Sequence, residues 1–349
     1  MKKLISLVLV MVTLVSVVGC SDDSLKVFLP GNYISDDVVK AFEEETGIKV
    51  KLDTFESNEE MLIKLEGSNS VYDVIIPSDY MIEKLKEEKL LQKLNKELIP
   101  NISLLYDGVK NASYDPNNDY TVPYFWGNVG ICYDTRKILA DDVLKQGWDI
   151  FHDTKYSGLM YLYDSERDEY MIGLKAQGYS MNTQDETELD KASAWLKQIV
   201  DTMDPQTVTD EAIDGLAYPE DTDEKYFGMM YNGDAAYILS VNENARFYAP
   251  ETGTNYFIDA MCVHSKSSRL DDACKFINYM ISYEAQLANS TEIGYSSVNG
   301  KALQELAETE FKGNEAYLPR TRTELDEDFH SNEFTRNYLA THWVDIINK

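Results

Sequence analysis

The chain has few cysteines, and it has no long hydrophobic run after its first twenty residues. Four cysteines occur in 349 residues, and Cys132, Cys262 and Cys274, which follow Cys20, each stand among apolar neighbours. An odd number in such surroundings predicts small core residues and argues against a disulfide framework. Because no later segment is apolar enough to cross a bilayer, we expect the rest of the chain to form a soluble body.

Basic residues are also scarce. The chain has 32 lysines and arginines against 61 acidic residues, a net charge of -29. Removing residues 1–19 would remove Lys2 and Lys3 but no acid, which leaves -31. Such a body repels nucleic acid and anionic membrane surfaces, and it attracts cations.

Common catalytic and metal-binding patterns are missing. The sequence has no nucleophile elbow and no phosphate-binding glycine loop, and no two of its histidines have metal-ligand spacing. These histidines are His152, His264, His330 and His342. The segment "DPNNDY" (residues 115–120) has alternating oxygen side chains but no glycine at the sixth position of a calcium loop, so it predicts a turn. We expect no metal and no cofactor.

The first twenty residues have the pattern of an export signal. Lys2 and Lys3 precede an apolar run over residues 4–18, which ends at Gly19 and Cys20. A membrane anchor helix is the alternative, but the run is short for a bilayer span. The ending "VVGC" resembles the bacterial lipobox, which predicts a lipoprotein signal peptide over residues 1–19 and lipidation of Cys20.

Strands and helices alternate through the first part of the chain. A strand "LKVFL" precedes a helix that Ser35 is suited to cap and Gly47 to end, and the strands "IKVKLDTF" and "YDVIIP" follow with their own helices. This alternation predicts a parallel, doubly wound sheet. Ligands of such sheets bind where strands lead into helices, here in the loops at residues 30–33 and 77–80.

The pattern restarts after "DPNNDYTVPYFWG". Strands are expected near "GLMYLYD" and "YFGMMYNGDAAYIL", with a helix at "DKASAWLKQIVDTM". A strand "YFIDAMCV" and a helix "DDACKFINYMIS" then resemble those of the first part, and closing helices follow. A second α/β lobe fits this order.

One carboxylate interrupts an apolar strand. In "NYFIDAMCV", Asp259 is the only charged residue, and an ionised Asp there is costly to desolvate unless a cation pairs with it. A structural Asp that caps a turn is the alternative. Tyr33, Tyr80, Tyr231 and Tyr295 fall at predicted strand ends, and aromatic faces with a few carboxylates suit an organic cation.

Several segments together carry a resemblance to a known family. The segments "GIKVKLDTFESNEEMLIKL", "YDVIIPSDYMIEKL", "YDPNNDYTVPYFWG", "MMYNGDAAY" and "IGYSSVN" resemble, in order, the spermidine/putrescine-binding proteins of bacterial polyamine ABC transporters. The resemblance implies a type II periplasmic-binding fold, in which crossover strands join two doubly wound α/β lobes around a ligand cleft. It implies an N-terminal lobe of residues 20–132 plus 258–300 and a C-terminal lobe of residues 133–257 plus 301–349.

The same resemblance implies a set of ligand-binding residues. Asp259 and Asp168 would pair with ligand ammonium groups, and Ser78 and Ser165 would add hydrogen bonds. Five aromatic residues would pack against the methylenes and the cations: Tyr33, Tyr80, Tyr231, Phe257 and Tyr295.

The chain also departs from the family pattern. A Trp-Thr-Glu-Tyr-like loop of the family corresponds to residues 30–33, where only Tyr33 is kept. One of two family acids corresponds to Ser165, while Tyr231 and Phe257 replace tryptophans, which bind cations more strongly. A late polar contact is expected near Glu324.

These features predict a lipid-anchored, non-catalytic and monomeric receptor in the periplasm or at the cell surface. The resemblance implies that it captures spermidine or putrescine and delivers it to an ABC permease with its ATPase. Three alternatives remain: a receptor for another small amine or solute, a hydrolase using Glu166 and Asp168, and a surface interaction lipoprotein with a degenerate cleft.

Overall fold

A computed structural model of the chain describes residues 23–67, 71–209, 211–219 and 225–348. The expected signal peptide (residues 1–19) and Cys20 lie outside these residues. The described strands are β1 Leu25–Pro30, β2 Val50–Phe55, β3 Val74–Ile75, β4 Thr121–Asp134, β5 Tyr161–Tyr163, β6 Gln206–Val208, β7 Phe227–Tyr231, β8 Ala245–Tyr248, β9 Tyr256–Val263 and β10 Ser296–Ser297.

The α-helices of the described residues connect and cover these strands. They are α1 Asp36–Thr46, α2 Asn58–Gly67, α3 Asp79–Glu87, α4 Ala140–Gln146, α5 Glu166–Ala176, α6 Glu186–Thr202, α7 Glu211–Ala217, α8 Asn232–Val241, α9 Leu270–Met280, α10 Tyr283–Ile293, α11 Gly300–Glu308 and α12 Glu333–Ile347. Among the described helices, none is both long and apolar enough to cross a membrane.

The first three strands form the parallel unit that the sequence predicts. β1 is the middle strand of the three and pairs in parallel with β2 and with β3. Alternate side chains of a strand point to the same face, and on one face of β1 the buried residues are Leu25, Val27 and Leu29. Because β1 and β3 are parallel, their carboxyl ends lie at the same edge of the sheet, where the loops at residues 30–33 and 77–80 begin.

Two long antiparallel strands extend this sheet. β9 lies between β3 and β4, and it is antiparallel to both. β4 changes partners along its length: residues 121–128 pair with β9, and residues 129–134 pair with β7 and β8. β4 thus runs from one group of strands into another.

Two local predictions need correction. Ser35 stands at the N-terminal cap of α1, but its side chain makes no capping hydrogen bond, and its backbone N–H donates to Asn289 Oδ1 at 2.9 Å. The segment "YFGMMYNGDAAYIL" is a strand only as far as Tyr231, because Asn232 begins α8. Its alanines and Leu239 continue readily in a helix, so an apolar run alone did not distinguish the two structures.

Separate hydrophobic clusters lie beneath different helices. Met61 of α2 and Met81 of α3 pack in a cluster that includes Phe28 of β1. Ile172 of α5 packs in another cluster, together with Leu339 of α12. The two groups of helices therefore have distinct cores, and contacts between them bridge two packed units.

Candidate functional site

Asp259 lies within β9, opposite Phe125 of β4. Its side chain is 8 % exposed, and the Tyr33 hydroxyl donates a hydrogen bond of 2.5 Å to Oδ2. Oδ1 is buried and accepts no hydrogen bond from the described residues. Burial raises the pKa of Asp259 to about 6, and only the hydroxyls of Tyr33 and Ser78 act in the opposite direction. Among the described residues, the ionised carboxylate thus has neutral donors near it and no cationic partner.

Tyr33 lies three residues after the end of β1 and is held by hydrogen bonds on both its backbone and its side chain. The preceding residue, Asn32, has a φ of 51°, a left-handed conformation that asparagine adopts more readily than most residues. The Tyr124 hydroxyl donates to the Tyr33 carbonyl at 2.8 Å. Burial and the charge of Asp259 raise the pKa of Tyr33 well above its usual value, so its phenol stays protonated and remains a hydrogen-bond donor.

A row of aromatic rings begins at Tyr33. Ring centroids are 5.3 Å apart between Tyr33 and Tyr295, 6.0 Å between Tyr295 and Phe257, and 5.4 Å between Phe257 and Tyr231. Each pair is edge-to-face, the arrangement that aromatic quadrupoles favour. The row thus brings together residues from four separate segments of the chain.

Asp168 lies at the other end of this row. The Tyr231 hydroxyl donates to Asp168 Oδ1 at 2.9 Å, and the carboxylate is 5 % exposed in the first turn of α5. Burial raises its pKa, whereas the hydroxyls of Ser165 and Tyr231 and the charge of Arg167 lower it. Two buried carboxylates therefore mark the two ends of the aromatic row.

Close backbone packing fixes Tyr295 in the row. A Cβ added at Gly233 would lie 2.2 Å from the Tyr295 ring, so only glycine leaves room for this ring. The Tyr295 hydroxyl donates to Asp234 Oδ2 at 3.1 Å. The "NGD" segment at the start of α8 thus supports the site, and sequence reasoning did not identify Gly233 or Asp234 as part of it.

The loop after β3 contributes Ser78 near Asp259 and places Tyr80 elsewhere. Ser78 is held by Asn58, whose Nδ2 donates to the Ser78 hydroxyl at 3.2 Å. Tyr80 is not part of the aromatic row. One face of its ring is covered by the guanidinium of Arg167, whose Cζ lies 3.3 Å from the ring centroid. The role of Tyr80 as a ligand wall remains a prediction.

A surface cavity of about 370 Å³ opens beside Tyr80. Arg167, Phe329 and His330 line it together with residues of α2, α3, α5 and α12, but Asp259 does not. The cavity is therefore a neighbour of the buried site and does not include its carboxylate. Glu324 is exposed and does not line it. Asp326 and Phe329, a few residues later, are buried, and Phe329 lines the cavity.

Asp79 is a buried carboxylate that sequence reasoning passed over. It stands between Ser78 and Tyr80 and is 2 % exposed. Its Oδ1 accepts from the Tyr80 backbone N–H at 2.7 Å, and its Oδ2 accepts no hydrogen bond from the described residues. Burial, Asp328 and Asp259 raise its pKa well above the usual value. An acid in a first helical turn is so common that nothing in the sequence distinguishes Asp79 from a solvated residue.

The arrangement suits a particular kind of ligand. Buried carboxylates attract cationic nitrogens, and aromatic faces stabilise cations and pack against methylene groups. In the part of the chain that the structure describes, no group of three or more His, Cys, Asp or Glu side chains could hold a metal ion. An elongated organic cation with charges near both ends matches the geometry.

Comparison with known proteins gives the family. Residues 37–318 match the family described as bacterial extracellular solute-binding protein, which covers most of the chain. The chain belongs to this family. The sequence-based expectation of a solute-binding transport protein is thereby confirmed.

Individual relatives cover nearly the whole chain. A spermidine/putrescine-binding periplasmic protein of Salmonella typhimurium is 29 % identical over 303 residues, 86 % of this chain and 85 % of its own. A putrescine/agmatine-binding protein of Pseudomonas aeruginosa is 28 % identical, over 83 % of this chain and 82 % of its own.

A solved structure shows the same fold. The spermidine/putrescine ABC transporter substrate-binding protein PotD of Streptococcus pneumoniae is 30 % identical, with a TM-score of 0.79 over 93 % of this chain and 98 % of its own. The fold of this solute-binding protein is therefore the type II periplasmic-binding fold, with two α/β lobes, as the sequence predicts.

Proposed function

We propose that this solute-binding protein captures a polyamine of the spermidine/putrescine class and delivers it to the permease and ATPase of an ABC importer. The observation that carries the proposal is Asp259, a buried carboxylate at one end of an aromatic row whose other end is Asp168. In the part of the chain that the structure describes, one of its oxygens has no hydrogen-bond partner and no cation pairs with it. The relatives named for spermidine and putrescine binding support the same ligand class.

In this proposal each carboxylate pairs with one ammonium group of the ligand. Asp259 and Asp168 bind the two ends, and the aromatic row packs along the methylenes between them. Ser78 and Ser165 add hydrogen bonds. An ammonium at Asp259 would neutralise a charge that is otherwise costly to bury, so binding strongly favours the cationic ligand.

We further propose that the lobes meet along β4, a few residues beyond the point where it changes partners. The N-terminal lobe would comprise residues 20–132 plus 258–300, and the C-terminal lobe residues 133–257 plus 301–349. Asp259 would then lie on one lobe and Asp168 on the other. A ligand that contacts both carboxylates prefers the closed arrangement of the lobes.

The protein would be held at the outer face of a membrane by a lipid on Cys20, after removal of residues 1–19. A Cys20→Ala variant tests this anchor. We expect it in the soluble extracytoplasmic fraction, whereas the unaltered chain should sediment with membranes. Equal membrane association of both would contradict the lipid anchor.

We propose no catalytic role for the site. Glu166 and Asp168 would attract the ammonium groups of the ligand without any chemical change to the ligand. After saturation with spermidine and heat release, mass spectrometry should recover the polyamine unchanged. A product formed in proportion to protein and time would instead favour the hydrolase.

Ligand class is tested by thermal shift of the mature protein against putrescine, cadaverine, agmatine, spermidine, spermine and amino acids. A large shift with one or more polyamines and little with amino acids is expected. The Asp168→Asn variant should lose most of the shift. Asp201→Asn serves as the control, because Asp201 is an exposed residue of α6. No shift with any polyamine would overturn the proposal.

A further inference from the structure

Arg167 connects two packed units at the edge of the surface cavity beside Tyr80. It belongs to α5, whose buried residues pack with α6 and α12. Its guanidinium Nη2 lies 2.8 Å from Oε1 of Glu59 on α2, and its Cζ lies 3.3 Å from the ring centroid of Tyr80 on α3. Because α2 and α3 pack in a different cluster, both contacts cross between the units.

The geometry is specific to arginine. A planar guanidinium can stack on an aromatic face and form an ion pair at its edge at the same time, whereas a lysine ammonium cannot. The Tyr80 hydroxyl also lies 3.3 Å from Glu59 Oε1, so the three side chains contact one another. The Arg167 side chain is 20 % exposed, and partial shielding from water strengthens both contacts.

The buried carboxylate of Asp79 also favours the position of the Arg167 guanidinium beside α3. This carboxylate is 2 % exposed, with Oδ2 unpartnered among the described residues. Burial raises its pKa most, the charges of Asp328, Asp259 and Glu83 raise it further, and the charge of Arg167 lowers it. Movement of α5 away from α3 would remove that positive charge from the neighbourhood of a buried acid.

A second contact joins the same units nearby. On α3, Glu83 Oε1 lies 2.8 Å from His330 Nδ1, and Glu83 Oε2 accepts from the Ser331 backbone N–H at 2.9 Å. The segment with His330 leads into α12, which packs with α5. Helix α3 is thus held to the other unit at two points on the edge of one cavity.

We propose that Arg167 is an interlobe latch: its guanidinium closes on Glu59 and Tyr80 when the lobes close, and so stabilises the closed state without contacting the ligand. This inference rests on the proposed polyamine-binding function. An interaction made only in the closed state adds to the apparent affinity and slows ligand release, because the ligand binds that state. Arg167 is a positioning residue, and Tyr80 is its platform.

The test compares Arg167→Gln, Arg167→Lys and Glu59→Gln, with Arg269→Gln as the control. Arg269 pairs with Asp23 and Asp272 on the surface. Titration calorimetry and stopped flow with spermidine and putrescine should show affinity weakened about 5- to 30-fold in Arg167→Gln, mostly through faster release. Arg167→Lys should fall between the wild type and Arg167→Gln, and the control should match the wild type.

Small-angle scattering supplies a readout that does not need ligand. The ligand-free Arg167→Gln protein should have a larger radius of gyration than the wild type, and added salt should bring the wild type closer to the variant. Unchanged affinity together with an unchanged radius of gyration in Arg167→Gln would overturn the latch. Tighter polyamine binding by Arg167→Gln would also overturn it, because it would mean that Arg167 competes with the ligand for Tyr80. A wild type that binds no polyamine would instead defeat the proposed function, and the radius would still decide the latch.

Discussion

Replacing Asp259 by asparagine removes one charge and little volume. The amide oxygen can still accept the hydrogen bond that Tyr33 donates to the carboxylate, so the loop after β1 keeps its anchor. The substitution removes the negative charge of a carboxylate whose Oδ1 accepts no hydrogen bond from the described residues. The variant therefore separates the charge of Asp259 from its packing.

The structure gives the size and sign of the effect on stability. Burial raises the pKa of Asp259 from 3.8 to about 6, which corresponds to about 3 kcal/mol against the ionised form in the folded state. The unfolded chain loses its proton near pH 4 and the folded chain near pH 6, so this group lowers stability as pH rises through that window. At pH 7.5 the ligand-free Asp259→Asn protein should melt at the same or a higher temperature than the wild type.

Binding should change in the opposite direction. Loss of one member of a buried charge pair costs about 2–5 kcal/mol, so we expect polyamine affinity to fall roughly 30-fold to several thousand-fold. Calorimetry at pH 7.5, with Asp201→Asn as the control, measures this loss. Unchanged polyamine affinity in a folded Asp259→Asn protein would refute the assignment of Asp259 as the ligand anchor.

Further predictions concern pH and the neighbours of Asp259. Because burial holds the pKa of Asp259 at about 6, affinity should fall about tenfold per pH unit below pH 6, and a flat profile in calorimetry from pH 7.5 to 5 would contradict this. Tyr33→Phe should weaken binding about 3- to 30-fold by removing a donor to the carboxylate, while unaltered titrations would argue against that role. Gly233→Ala should displace the Tyr295 ring and weaken binding more than tenfold, whereas Gly67→Ala, with open space around it, should match the wild type. Equal affinity of these two glycine variants would show that the ring is not needed.

The local elements of the fold could be predicted from sequence. Helix α1 has clear helical periodicity, with Val38 and Phe42 buried, and Gly47 ends it with a φ of 72°, as the sequence predicts. Periodicity failed at residues 226–239, where an apolar strand passes directly into an apolar helix. The partner change within β4 could not be predicted either, because pairing depends on strands far away in the chain.

The candidate site, like the fold, could be predicted only in part from the sequence. Asp259 stands out because a lone acid in an apolar strand has a desolvation cost, and its hydrogen bond to Tyr33 spans 226 positions of the chain. Only the order of β1, β3 and β9 in the sheet brings these two residues together. Arg167 and Asp79 gave no such signal, because charged residues in the first turns of helices are usually solvated. Their importance depends on how α3 and α5 approach each other.

Proton release on ligand binding tests the central claim most directly. Spermidine is titrated into the protein at pH 5.5 in two buffers of different ionisation enthalpy, which yields the number of protons released for each ligand bound. With the pKa of Asp259 near 6, the ammonium must displace a proton from a mostly protonated carboxylate, so we predict release of at least about half a proton and much less in Asp259→Asn. Binding without proton release in the wild type, or release that is equal in the variant, would contradict the account.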